Sequence, residues 1–279
     1  MKRFLCAAAA ALLLAVCAPA QNGFIYNWTL SPVNGSMTGV RSSGADDVAE
    51  AMGSVRGSRY YSPSGKVYRG GSVTRAAKIM LGVQPEMAEV KKVIAYSTEA
   101  MIRRKPECAL SDWFIDILMS ECEALSGKKV DIGFTNFGGI RVDMPAGDVL
   151  LDDIMSMFPF KNNLCYLELE GRDVRVILEQ MARKGWQVIG GVRCTATKTG
   201  ELLSAEIDGE PLDDDRIYGV ATISFLLDGG DGLAIARNAK HLTIFDQYII
   251  DVVLPYVKRL TAEGKNIEYK ADGRVKIVK

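Results

Sequence analysis

Apolar positions in this chain recur at two periods, and the alternation between them outlines a fold. Trp113, Phe114, Ile117, Leu118 and Leu125 return every three to four residues and predict an amphipathic helix, with Ser111 or Asp112 placed to cap its start. Val174, Ile177, Leu178 and Met181 repeat that spacing. So do Tyr248, Ile249, Val252, Val253, Tyr256 and Leu260, where Pro255 predicts a kink or a late start. A further amphipathic stretch near Thr74–Val90 is expected in two pieces, because Pro85 interrupts it. Val130–Thr135, Leu164–Glu170 and Ile217–Ile223 read as strands, and Leu203–Ile207 with Glu210–Leu212 reads as a hairpin about Asp208-Gly209. Helices interleaved with strands and a hairpin predict an α+β domain of mixed sheets packed with helices. That domain is expected over residues 73–279, after an irregular Gly/Ser-rich leader over 21–72.

The first twenty residues follow a different pattern. Lys2 and Arg3 precede a 15-residue apolar run from Phe4 to Ala18, shorter than the ~18–20 residues that span a bilayer. Ala18-Pro19-Ala20 offers small residues at a cleavage position, so residues 1–20 read as a signal peptide and the mature chain is expected to begin near Gln21. Leu14-Ala15-Val16-Cys17 supports a competing reading, a lipid-anchored start at Cys17, which would be the chain's one link to a membrane. Both readings predict export, to the periplasm or the cell surface. Four cysteines then remain, Cys108, Cys122, Cys165 and Cys194, expected as buried small hydrophobes or with one structural disulfide.

Composition narrows the chemistry. Lys and Arg number 34 against 34 Asp and Glu, so the chain lacks the basic excess of a protein that binds nucleic-acid polymers. His241 is the only histidine, which excludes a His-rich metal centre built from this sequence, and its polar setting predicts a surface position. No phosphate-binding GxxxxGK[ST] loop and no GxSxG nucleophile elbow occur. Asp152-Asp153 and Asp213-Asp214-Asp215 read as solvated acids.

Three stretches carry candidate chemistry. In Asn136-Phe137-Gly138-Gly139-Ile140-Arg141, glycines at a strand end open backbone N–H groups to an anion, and Arg141 adds a fixed charge. In Phe158-Pro159-Phe160-Lys161-Asn162, proline between two rings is expected to push at least one of them out of the core. In Phe225 through Gly232, an aromatic ends a strand and Asp231 follows a glycine loop. Each alone also fits a plain turn, core packing or an acidic loop. Together they describe a site for an anionic, planar, hydroxylated ligand, and a nucleotide has those three parts.

These three motifs, in this order, with Arg104-Lys105-Pro106-Glu107 ahead of the Trp113 helix, resemble the C-terminal domain of the 5′-nucleotidase family. The resemblance covers residues 90–260 and implies that Phe160 and Phe225 stack on the base from opposite faces. It implies further that Asp231 holds the ribose and that Asn136, Gly138, Gly139 and Arg141 form a polar wall beside ribose and phosphate. Arg104 then faces phosphate, with Arg103 as its neighbour, and Asn162 contacts the base. The family's catalytic domain, with two divalent metals, has no counterpart among these residues, so no cofactor is expected on this chain. The metals are expected on a separate metallophosphatase chain to which this one presents its nucleotide. A stand-alone nucleotide- or nucleoside-binding protein is the rival expectation, and an inert descendant of the fold is a third.

Overall fold

A computed structural model describes residues 37–44 and 46–279, so the expected signal segment, Cys17 and the start of the leader lie outside the described residues. The chain divides into a unit over Met1–Thr38 and a unit over Gly39–Lys279, and all that follows concerns the second. It opens with a short helix α1 (Val48–Met52) and an antiparallel sheet β1-β2-β3 (Ser54–Arg56, Arg59–Tyr61, Val67–Arg69), followed by helix α2 (Gly71–Gly82). The sequence reading expects an irregular leader here. Gly53 explains part of the difference: its φ of 78° and the 2.2 Å that a Cβ would leave to the Tyr61 carbonyl let β1 fold tightly over Tyr60, whose hydroxyl donates to Met52 O. Helix α2 stops at Gly82, and turns rather than a second helical piece carry Pro85.

The remaining elements are β4 (Val93–Ser97), α3 (Ala109–Ser126), β5 (Ile132–Thr135), β6 (Gly147–Leu150), α4 (Leu151–Met157), β7 (Asn163–Glu170), α5 (Gly171–Lys184), β8 (Val188–Gly190), β9 (Val192–Thr197), β10 (Leu202–Ile207), β11 (Glu210–Pro211), β12 (Ile217–Ile223), β13 (His241–Tyr248), α6 (Ile249–Ala262) and β14 (Val275–Val278). They form a five-stranded mixed sheet ordered β13-β7-β12-β5-β8, a four-stranded sheet β11-β10-β9-β14 and a pair β4-β6. This is an α+β fold, as the alternation of periods predicts. The hairpin between β10 and β11 turns at Asp208 and Gly209, both at positive φ (54° and 81°), the geometry a two-residue loop requires.

Helix α3 lies against the five-stranded sheet because two of its strands leave room. Gly133 and Gly190 pair across β5 and β8, and a Cβ on Gly133 would sit 2.7 Å from Ile115 Cγ1, one on Gly190 2.7 Å from Met119 Sδ. The missing side chains form a notch that the helix fills. Trp113, Phe114, Ile117 and Leu118 are buried as expected, whereas Leu125 is 43% exposed in the last turn. The helix is capped at Cys108 rather than at Ser111 or Asp112. Ser111 stands one turn inside, and its hydroxyl accepts from the Cys108 N–H at 3.0 Å.

Helix α6 runs through Pro255 instead of starting there, since Ile249, Val252, Val253 and Val257 bury one continuous stripe that outweighs the lost backbone bond. The four described cysteines are buried free thiols, and burial pushes those of Cys122, Cys165 and Cys194 up to about 12. His241 is exposed at the start of edge strand β13. Among the described residues, no helix is long and apolar enough to cross a membrane.

Candidate functional site

Sheet topology gathers the three motifs. Strands β5 and β12 are parallel, so their C-terminal ends lie together, and β7 is antiparallel to β12, so its N-terminal end reaches the same edge. Asn136 and the turn Phe137–Gly139 follow β5; Phe160 and Asn162 precede β7; Phe225 and Asp231 follow β12. Open α/β sheets place ligands at the carboxyl ends of strands for the same reason: the loops there converge.

The two phenylalanines around Pro159 have opposite fates. Phe158 is 3% exposed and stacks on Phe114 at 4.3 Å, while Phe160 is 46% exposed. Phe225 is 45% exposed and leans on Gly230, where a Cβ would come within 2.8 Å of its ring. Exposed rings have no packing reason to stand where they do, and both line one cleft of about 240 Å³. Asn136, Gly138, Gly139, Asn162 and Asp231 complete its walls. Seven of the nine residues singled out in the sequence therefore meet in one place.

Within the cleft, Asn136 is buried and its Nδ2 donates to Asp231 Oδ2 at 2.7 Å. This bond holds a carboxylate that sits in the left-handed region, at φ 48° and ψ 25°. The other polar atom of the Asn136 amide, Oδ1, is buried without a hydrogen-bond partner among the described residues. A Cβ on Gly139 would lie 2.7 Å from that oxygen, and one on Gly138 3.3 Å from Nδ2. The glycines thus leave space for the Asn136 amide.

Beyond Asp231 and Gly138 the cleft continues as a basic trough of about 430 Å³, lined also by Arg103, Arg104, Lys105, Phe137 and Gln187. Neighbouring arginines are used differently here. Arg103 donates from its guanidinium to the carbonyls of Phe137 and Ile140, and its backbone N–H donates to Asp143 Oδ1 at 2.8 Å. The Arg104 side chain has no hydrogen bond or ion pair among the described residues, so its charge is left to solvent or ligand. Lys105 Nζ stands 5.6 Å from the Phe137 ring centre. Arg141 does not line the trough; its guanidinium lies 5.8 Å from the Phe160 ring centre and donates to Gly138 O at 3.4 Å. Gln187 escaped the sequence reading, which has no motif for it; Arg104, Gly138 and Asp231 are the residues of this trough that it singled out.

A second charged region lies at the other end of β8, past Gly191. Arg274 is buried and donates to Asp116 Oδ1 at 2.8 Å and Oδ2 at 2.7 Å, and to Asp272 Oδ1 at 3.0 Å. Asp112 Oδ2 lies 3.8 Å from its Nε. Burial pushes the Asp112 carboxyl up to about 7, against the pull of Arg274, and the adjacent Glu107 carboxyl adds to the rise. Burial acts the same way on Glu107, but the backbone N–H groups of Val275, Arg274 and Gly273 outweigh it and hold that carboxyl low. Glu107, Asp112 and Asp272 sit close enough together to hold a cation, yet Arg274 already supplies the positive charge.

An aromatic cleft with an acid on its rim and an uncommitted arginine beyond thus lies at one end of the five-stranded sheet of an α+β domain. Residues 87–237, just over half the chain, match the family described as 5′-nucleotidase, C-terminal domain, and the chain belongs to that family. Among its relatives, the trifunctional nucleotide phosphoesterase protein YfkN of Bacillus subtilis is 27% identical over 190 residues, covering 63% of this chain and 13% of that protein. Protein UshA of Escherichia coli is 32% identical over 107 residues, 37% of this chain and 19% of that protein. The fold matches a 5′-nucleotidase precursor from Thermus thermophilus with a TM-score of 0.64 at 23% identity, over 74% of this chain and 43% of that one. The chain thus spans less than half the length of these relatives. Family and fold are consistent with nucleotide binding and with a place in nucleotide metabolism.

Proposed function

We propose that this domain binds a nucleotide and presents its phosphate to a dinuclear-metal phosphatase carried on a separate chain. The observation that carries the reading is the convergence on Asp231: one side of it is an aromatic cleft sized for a base, the other a trough holding the uncommitted Arg104. Phe160 and Phe225 stack on the base, Asn162 contacts its edge, and Asp231, steadied by Asn136, accepts hydrogen bonds from the ribose hydroxyls. Arg104 meets the phosphate. These groups bind and orient; none of them activates water or protonates a leaving group. Divalent metals on the partner supply that chemistry, and holding the phosphate in line with them is the geometric contribution of this chain. Export to the periplasm or cell surface, by a cleaved signal or through a lipid on Cys17, belongs to the same proposal and rests on residues 1–20.

Calorimetry with AMP and adenosine, followed by phosphate release from AMP with Mn²⁺ or Zn²⁺, tests the proposal. The expected outcome is binding by this chain without turnover, and faster release when it is mixed with a metallophosphatase chain than with that chain alone. Metal-dependent turnover by the repurified chain, lost in Asp231→Ala, would refute the division of labour. Tight binding with no gain on mixing would make the protein a nucleotide-binding protein in its own right.

A further inference from the structure

Gln187 occupies the short link between α5 and β8, at the end of the sheet where the ligand cleft lies. The Phe137 N–H donates to its Oε1 at 3.0 Å. A backbone N–H cannot accept, so this bond decides which end of the amide faces the turn and leaves the NH₂ pointing elsewhere. That NH₂ has no hydrogen-bond partner among the described residues, although the side chain is half-buried. Gln187 lines the basic trough with Arg104 and Asp231 and takes no part in the wall of the aromatic cleft.

The two sides of the Phe137 turn are therefore fixed by different residues. Arg103 binds its carbonyls and Gln187 its N–H. Arg103 is thereby largely committed to the protein, whereas the Gln187 amide carries two donors and only its carbonyl is engaged. A neutral donor beside Arg104 suits an oxyanion, because it adds a hydrogen bond without adding charge to a trough that already holds three basic residues.

We propose that Gln187 is a positioning residue for the ligand's phosphate: its NH₂ donates to a phosphate oxygen held by Arg104, while its carbonyl pins the turn at Phe137. This rests on the nucleotide reading above and adds to it a contact on the phosphate side only. Ribose hydroxyls, by contrast, face the acceptor Asp231.

Gln187→Glu separates the two roles, since it keeps an oxygen for the Phe137 N–H and replaces the NH₂ with a negative oxygen. AMP affinity is expected to fall at least about ten- to hundredfold, the range for losing a hydrogen bond to a charged group, with repulsion between the new carboxylate and the phosphate adding to it. Adenosine affinity and the melting temperature should stay at wild-type values. Gln187→Met, which removes both roles, should weaken AMP and adenosine together and lower the melting temperature. Unchanged AMP affinity in Gln187→Glu, or equal losses for AMP and adenosine, would overturn the assignment while leaving the nucleotide reading intact. A wild-type protein that binds neither ligand would sink both.

Discussion

Arg104 and Arg274 stand near opposite ends of the same strand, β8, and their circumstances could hardly differ more. Arg274 is 6% exposed and divides its donors among Asp116, Asp272 and the Ile189 carbonyl. Arg104 is exposed and has no acid against it among the described residues. Both regions are concave and rich in charge, and the one around Arg274 is the more acidic. Charge density therefore does not mark the binding region. What marks it is where the open groups point: around Arg274 the guanidinium is closed on Asp116, Asp272 and the Ile189 carbonyl, and the one buried oxygen left without a hydrogen bond among the described residues there, Asp112 Oδ2, still faces that charge, while around Asp231 the open groups line a cleft.

Substitutions should split along that line. The largest effect is expected from Arg274→Ala, which leaves Asp116 and Asp272 without their buried counter-ion. Asp116 and Asp272 are themselves partly exposed, so the cost is about 3 kcal/mol, the low end for a buried pair, to be read from denaturant unfolding, with AMP affinity unchanged in the folded fraction. Arg104→Ala should do the reverse. Loss of a charge-assisted hydrogen bond would weaken AMP by about 1.5–3 kcal/mol, leave adenosine unaffected, and leave stability at the wild-type value. An equal loss for both ligands would show that Arg104, like Arg103, serves the loop. Phe225→Ala removes one stacking face and should cost about 1–3 kcal/mol for AMP and adenosine alike; a folded variant with intact affinity would remove the aromatic clamp from the site.

The smallest effect is on pH dependence. Asp112 holds its proton up to about pH 7 in the folded chain against an ordinary value of 3.8. Between those values the native state binds a proton that the unfolded state has released, so this group makes stability fall as pH rises from about 4 to 7 and then level off. Asp112→Asn should remove that slope and raise the melting temperature above neutrality. Thermal melts over that range decide it, and a slope that persists in the variant would place its source elsewhere.

The sequence was most legible where a side chain's chemistry and its place along the chain coincide. Apolar periodicity marked α3, α5 and β12, and the three motifs were read as converging before any topology was known; the parallel pairing of β5 with β12 supplies the mechanism. Less legible was anything decided by a partner distant in sequence. Arg103 and Arg104 are indistinguishable as letters, and only the carbonyls of Phe137 and Ile140, more than thirty residues on, separate them. Gln187 owes its place to an N–H fifty residues away. Residues 48–69 read as irregular because their strands are three residues long, too short to show a period, and close through Gly53 and Tyr60.

The backbone at Asp231 bears on how such a domain changes over generations. A residue at φ 48° is one that glycine would occupy with no Cβ strain at all, and asparagine about as readily as aspartate. Folding therefore gives selection little reason to keep an acid there, and a lineage released from holding a ligand could exchange it in one step for asparagine, whose Oδ1 still accepts from the buried Asn136 Nδ2. The same lineage could replace Gly133 or Gly190 only if Ile115 and Met119 of α3 moved aside, because they fill the space where the new side chains would go. In a set of descendants, position 231 would thus be the first to record a vanished ligand, and the notch under α3 the last to change.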